Sequence, residues 1–230
     1  MPVDQDRYQS LIRRAAFRAE YFRGTIQDLS PAQRAMAFVG APTWSRINGW
    51  PCLAQNAINQ GSTSGAVAAF LDVTGSVWFE AVVQPFAYGT DQNLIVSQRT
   101  PAGPGFTFFW HSSIANAYAR IILYDAAGAS ARSLNTPVLS VPVMRPSHIV
   151  LASINAGATG LGWINGIPVV VTLAGAGVVA NAGVSVIEAG GGVFTRGLKG
   201  TMIARAWQGT PTNADVACLA EQAKLMIGGF

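Results

Sequence analysis

Ser76-Val77-Trp78-Phe79-Glu80-Ala81-Val82-Val83-Gln84, closed by Pro85, is the stretch that decides the fold. Strand side chains alternate between two faces with a period of two. Val77, Phe79, Ala81 and Val83 therefore share one face, and Trp78, Glu80, Val82 and Gln84 share the other. Downstream, residues 93–98, 105–110, 119–125, 138–143, 147–155, 160–164, 167–173, 183–188 and 198–207 read as further strands. Their short, regular spacing, with Gly, Asn or Pro between them, predicts an antiparallel sandwich or barrel. Asn165-Gly166, between two apolar runs, is the residue pair favoured by a type I′ hairpin turn.

Upstream the periodicity changes. Tyr8, Leu11, Ile12, Ala15, Ala19 and Phe22 recur at helical spacing, which predicts one helix over 4–23 with Arg7, Arg14 and Arg18 largely off the stripe. Gly24 stops it. A second short helix is expected from Ser30 and Pro31 through 32–38, ended by Gly40-Ala41-Pro42. Residues 1–43 thus read as a helical arm and 44–230 as a β domain. The chain closes with a helix capped by Thr212 or Asn213, with Asp215 near its positive end. Val216, Leu219, Ala220, Ala223 and Ile227 form its apolar stripe, and Gly228-Gly229 end it.

The 230 residues suffice for one large β domain with an appendage, or two small domains. Only 11% are charged, against about 25% in ordinary globular chains, and half are apolar. A surface that is largely neutral, or covered by other subunits, is expected. Up to Arg46 there are seven arginines against four acids, which accounts for +3 of the net +4. Those acids and bases are interleaved without a long basic run, so nucleic acid is not the expected partner.

Cys52 and Cys218 belong to no CxxC or CxxH pattern, so no zinc site is indicated. A disulfide between them needs the chain ends to meet; two buried free thiols are the preferred reading. Residues 148–187 carry no Asp, Glu, Lys or Arg, yet Asn155, Gly157, Gly160, Gly162, Asn165, Gly166 and Pro168 break any membrane-spanning helix. The opening residues, with Asp4 and Asp6, do not form an export-signal pattern.

Several segments, in order, resemble the laminin-G-like branch of the concanavalin A-like lectin/glucanase superfamily. They are 77–85, Leu94-Ile95-Val96-Ser97, Gly105-Phe106-Thr107-Phe108-Phe109, Ser147-His148-Ile149-Val150-Leu151-Ala152, Gly162-Trp163-Ile164-Asn165-Gly166, and 198–207 with the helix cap behind it. The resemblance covers about residues 45–227. One departure is Arg145-Pro146, where the family often has Trp before the position of His148. The resemblance implies an all-β, concanavalin A-like jelly-roll sandwich of two antiparallel sheets, here with an N-terminal helical arm and a C-terminal helix. It does not imply one function.

Glycosidases that share this superfamily's fold need two carboxyl groups about 5–10 Å apart. Asp72, Glu80, Asp91, Asp125 and Glu188 stand isolated in the sequence, and an ion pair with Arg205 is the expected role of Glu80. His148 reads as structural and His111 as a loop residue, without a Gly-x-Ser-x-Gly elbow. Gly175-Ala176-Gly177 and Gly190-Gly191-Gly192 read as turns, because neither carries the Lys-Ser/Thr of a P-loop. Asp72, Asp91 and Asn93 suit calcium by residue type alone. No catalytic, cofactor or metal residue is expected.

Glycan binding needs an exposed aromatic platform beside polar groups. Trp110, His111, Asn116 and Tyr118 form the candidate cluster, with Trp163 beside its hairpin turn as a second; core or subunit contacts are the competing role for these aromatics. The preferred functional expectation is a non-enzymatic structural protein of a phage-like virion, a capsid decoration or tail component assembled in the host cytoplasm. Its partners would be copies of itself and other virion proteins, met through Tyr8, Leu11, Ile12 and Phe22 of the arm. The alternative is an adhesion module that recognises cell-surface carbohydrate.

Overall fold

The computed structural model describes residues 4–55, 60–85, 92–99, 103–113, 116–142, 144–190 and 199–228. The chain opens with α1 (Gln5–Arg14), β1 (Phe17–Glu20) and a 3-10 turn (Tyr21–Arg23). Four strands follow: β2 (Met36–Val39), β3 (Thr43–Ile47), β4 (Trp50–Gln55) and β5 (Gly61–Ser64). The long central strands are β6 (Val77–Pro85), β7 (Gln92–Arg99), β8 (Gly105–Ser113) and β9 (Asn116–Tyr124). Then come β10 (Ser130–Asn135), β11 (Ser147–Ile154), β12 (Thr159–Ile164), β13 (Ile167–Val169), β14 (Thr172–Ala174) and β15 (Ile187–Ala189). The chain ends with β16 (Lys199–Gln208) and α2 (Asn213–Ile227).

The strands form two eight-stranded antiparallel sheets. The first runs β13-β12-β11-β6-β16-β4-β3, with β1 also paired to β16; the second runs β14-β10-β9-β8-β7-β15-β5-β2. The alternation expected in β6 decides the layering. Val77, Phe79, Ala81 and Val83 enter the core between the sheets, where Phe79 meets Phe106 at 5.0 Å and Phe108 at 5.4 Å between ring centroids. Trp78 and Val82 point the other way and are also buried, because α1 and α2 cover that face. Trp78 stacks on Trp207 at 4.0 Å, among Tyr8, Leu11, Ile12, Trp163 and Leu219. The result is three layers: helices, first sheet, second sheet.

Local signals hold at several places. Asn165 and Gly166 both have positive φ (55° and 76°) and link β12 to β13 as the expected hairpin. Thr212 accepts the Asp215 amide while Asp215 takes the Thr212 amide, a reciprocal cap on α2. Val216, Leu219, Ala220, Ala223 and Ile227 are buried as the stripe requires. Cys52 and Cys218 are buried free thiols. Among the described residues no helix is long and apolar enough to cross a membrane.

The N-terminal helices are corrected. The helix expected over 4–23 stops at Arg14, and the chain turns extended at Ala15. Phe17 then pairs with Ala206 and Glu20 with Ile203, burying Phe17 and Ala19 completely. Strand pairing satisfies the same backbone groups and sends alternate residues into two layers, which a helix at that position could not do. The helix expected over 32–38 is instead a turn followed by β2, which pairs with β5 at the edge of the second sheet. Edge pairing outweighs the weak helical preference of 32–38. Residues before 44 therefore supply strands to both sheets.

The described part of 138–143 is not a strand: Pro137 and Pro142 bracket it and Leu139 takes φ 61°. The 167–173 run splits into β13 and β14, one on each sheet, and the 183–188 run shrinks to β15. Leu198, the start of the expected last strand, lies outside the described residues, as do Asp91, Gly191 and Gly192.

Candidate functional site

The expected aromatic cluster is divided by strand parity. Trp110 lies opposite Ala119, and His111 opposite Tyr118, on the β8–β9 ladder. Even-numbered β8 residues face the core, so Trp110 is 1% exposed among Phe106, Phe108 and Ile121. It offers no platform. His111 is a strand residue rather than a loop residue, and its ring lies parallel to Tyr118 at 5.0 Å on the outer face of the second sheet. Asn116 begins β9, but its side chain is outside the described set. Trp163 is also buried, against the helices with Leu219 and Trp207.

The arm residues are covered by their own chain. Tyr8, Leu11 and Ile12 pack on the helix side of the first sheet, and Trp207 donates its indole N–H to the Leu11 carbonyl at 2.9 Å. Phe22, half-buried in the 3-10 turn, meets Trp50 edge-on at 6.1 Å. This part of the stripe, expected to dock on a neighbouring subunit, is packed in this chain against Trp78 and Trp207.

A network of charges lies beneath α1. Arg205 donates from Nη1 to Glu80 Oε2 (2.9 Å), from Nε to Glu20 Oε1 (3.1 Å), and from Nη2 to the Tyr8 hydroxyl (3.1 Å). The expected Glu80–Arg205 pair is present, directly opposed on the β6–β16 ladder. His148 Nε2 lies 3.1 Å from Glu80 Oε1, and Arg18 and Arg23 close on Glu20. Burial works to raise the Glu80 pKa, but Arg205 and the His148 hydrogen bond outweigh it and hold the carboxyl below its ordinary value. Burial opposes Arg205, Arg18 and Arg23 at Glu20 in the same way, and the balance lowers it to about 2. Both carboxylates are thus kept ionised and occupied. That suits cross-linking, and it is the opposite of the raised pKa a general acid needs.

The calcium candidates have other duties. Asp72 accepts from Thr74 and from Asn181, stapling a turn, and the Thr74 hydrogen bond leads the lowering of its pKa. Asn93 is buried and donates to the Trp110 carbonyl. Among the described residues no group of three His, Cys, Asp or Glu is placed to hold a metal.

An exposed site lies where the sequence pointed to none. β3 and β4 form a hairpin through Asn48 (φ 48°) and Gly49 (φ 86°) at the edge of the first sheet. Parity puts Trp44 and Arg46 on one face, and Ile47, Trp50 and Cys52 on the other. Trp44 is 43% exposed, with its inner edge against the Tyr21 ring at 6.5 Å. The Tyr21 hydroxyl is fixed 3.0 Å from Ser62 Oγ, and burial pushes its pKa up. Gly24, Trp44, Ser45, Arg46 and Pro51 line a cleft of about 390 Å³. Arg46 Nη1 donates to the Gly49 carbonyl at 2.5 Å. The available signal was Trp44-Ser45-Arg46-Ile47-Asn48-Gly49-Trp50, an alternating run around an Asn-Gly turn.

No protein-family model matches the chain, and no curated protein matches it in sequence. Its fold matches solved structures. The botulinum neurotoxin serotype G binding domain superposes with TM-score 0.66 at 13% identity, covering 90% of this chain and 51% of that one. The serotype D ligand binding domain, solved in complex with N-acetylneuraminic acid, gives 0.66 at 9% identity, covering 94% and 52%. The binding domain of Paraclostridial Mosquitocidal Protein 1 gives 0.65 at 14% identity, covering 92% and 53%. This chain therefore spans about half the length of these structures. At such identities the likeness is one of fold: two antiparallel sheets packed as a sandwich, with a short N-terminal and a longer C-terminal helix.

Proposed function

We propose that this chain is a non-catalytic recognition module that binds carbohydrate. The observation that carries the reading is the half-exposed Trp44, held at the rim of a cleft on a fold shared with receptor-binding domains. A rigid exposed indole is the surface on which the apolar face of a sugar ring stacks. One of the similar structures was solved with a bound sugar. The acids most suited to hydrolysis, Glu80 and Glu20, are locked in ion pairs under α1. These observations favour the adhesion alternative over the virion role, whose motivating arm is covered by the chain's own sandwich.

A glycan array probed with the full chain, followed by calorimetry on any hit, tests this. Binding that falls by up to roughly tenfold in Trp44→Ala, at an unchanged circular dichroism spectrum, is the expected result; a stacking contact is worth about 0.5–1.5 kcal/mol. Absence of binding across neutral and acidic glycans overturns the proposal. So does turnover of a glycan that is abolished by Glu80→Gln.

A further inference from the structure

We infer that the Trp44–Arg46 cleft takes an acidic sugar, with the ring stacked on the Trp44 indole and a sugar carboxylate held by Arg46. This inference rests on the carbohydrate-binding reading above and adds the ligand's charge. Trp44 and Arg46 lie two residues apart on one face of β3, roughly 7 Å along the strand. A ring on the first and its exocyclic carboxylate on the second span that distance.

The charge argument is local. Among the described residues no carboxylate pairs with Arg46, whose one hydrogen bond runs from Nη1 to the Gly49 carbonyl. That bond orients the guanidinium and leaves its Nε and Nη2 edge for a ligand. The neighbouring Arg23 is already engaged by Glu20, and Glu20 is itself shared among Arg18, Arg23 and Arg205. Among the described residues Arg46 is thus an uncompensated cation beside an exposed indole. A guanidinium edge donates two parallel hydrogen bonds to a carboxylate, a geometry a neutral hydroxyl cannot reproduce.

The platform is fixed before binding. Trp44 rests on Tyr21, and Tyr21 is buried and tied to Ser62, which in turn donates to the Ala189 carbonyl. Little side-chain freedom is lost when a ring lands on such a surface. The cleft, at about 390 Å³, is at the small end of ligand sites, as a single sugar residue requires.

The test is a titration of the ¹⁵N-labelled full chain, observed by NMR, with N-acetylneuraminic acid, glucuronic acid, their methyl esters, glucose and acetate. The acids are expected to shift the Trp44 indole N–H and the Arg46 side-chain signals, and rising salt is expected to weaken them. Arg46→Gln should weaken the acids roughly tenfold to a hundredfold, the range of a hydrogen-bonded charge contact, with the neutral sugars unchanged. Arg46→Lys, which keeps the charge and loses the fork, should fall between. If esters and glucose bind at Trp44 as well as the acids do, the inference is overturned and the carbohydrate reading survives. If acetate binds as tightly as the sugars, the site is an anion site only, and the inference fails. If no sugar moves any resonance, both fail.

Discussion

Arg205 stands directly opposite Glu80 on the β6–β16 ladder, with Nη1 2.9 Å from Oε2 and both side chains buried. The same guanidinium reaches Glu20 of β1 and the hydroxyl of Tyr8 in α1. One cation therefore ties the N-terminal helix, an added strand and two central strands together. Two carboxylates offset the cost of burying it, and Arg18 and Arg23 balance the second negative charge this brings in at Glu20.

Arg205→Met removes the guanidinium from buried Glu80, which keeps His148 beside it, and from Glu20, which keeps Arg18 and Arg23. A loss of about 3–5 kcal/mol is expected, because breaking a buried pair from one side leaves charge uncompensated. Urea denaturation followed by tryptophan fluorescence measures it. A loss under about 1 kcal/mol would show that water reaches the network.

Acid should reveal Glu20. Its carboxyl is lowered from an ordinary 4.5 to about 2 in the folded chain. A depressed acid contributes stability that is complete above the unfolded value and is lost as pH falls through the folded one. The expected loss is on the order of 3 kcal/mol between pH 4.5 and 2. In Glu20→Gln that stretch of the stability–pH curve should flatten; an unchanged slope would sink the assignment.

Trp207 stacks on Trp78 and donates to the Leu11 carbonyl. Trp207→Ala should cost about 3–5 kcal/mol and speed amide exchange in α1 first. Uniform loss of protection, with α1 no faster than β6, would mean that the helix is not anchored through this residue.

Leu11 is buried on the chain's own sheet. Leu11→Ala should lower stability by about 2–5 kcal/mol while the mass from light scattering stays that of the wild type. A discrete oligomer that falls apart in this variant, at unchanged unfolding midpoint, would instead place the stripe between subunits.

β6 was legible because its information is local. An alternating run states which residues share a face, and Val77, Phe79, Ala81 and Val83 do share the core. The Glu80–Arg205 pair was legible too, since a lone carboxylate in an apolar strand needs a cation and few candidates exist. The cap on α2 and the Asn165-Gly166 turn depend only on neighbours a few residues away.

The candidate site was not legible, and the reason is physical. Parity separates two faces of a strand but does not say which face another layer covers. Trp110 and Trp44 look alike in sequence, each an aromatic in an alternating run; one is 1% exposed and the other 43%. β8 sits inside a sheet with the core against its even-numbered residues, whereas β3 is an edge strand whose Trp44 extends past the core. The stretch 15–23 likewise carries helical spacing, and only β16, nearly two hundred residues later, turns it into a strand. The sequence by itself determined the long central strands such as β6, the Asn165-Gly166 turn and the cap on α2, because these follow from short-range periodicity and backbone chemistry. The tertiary structure alone decided what is exposed, because exposure depends on which distant segments come to lie on each face.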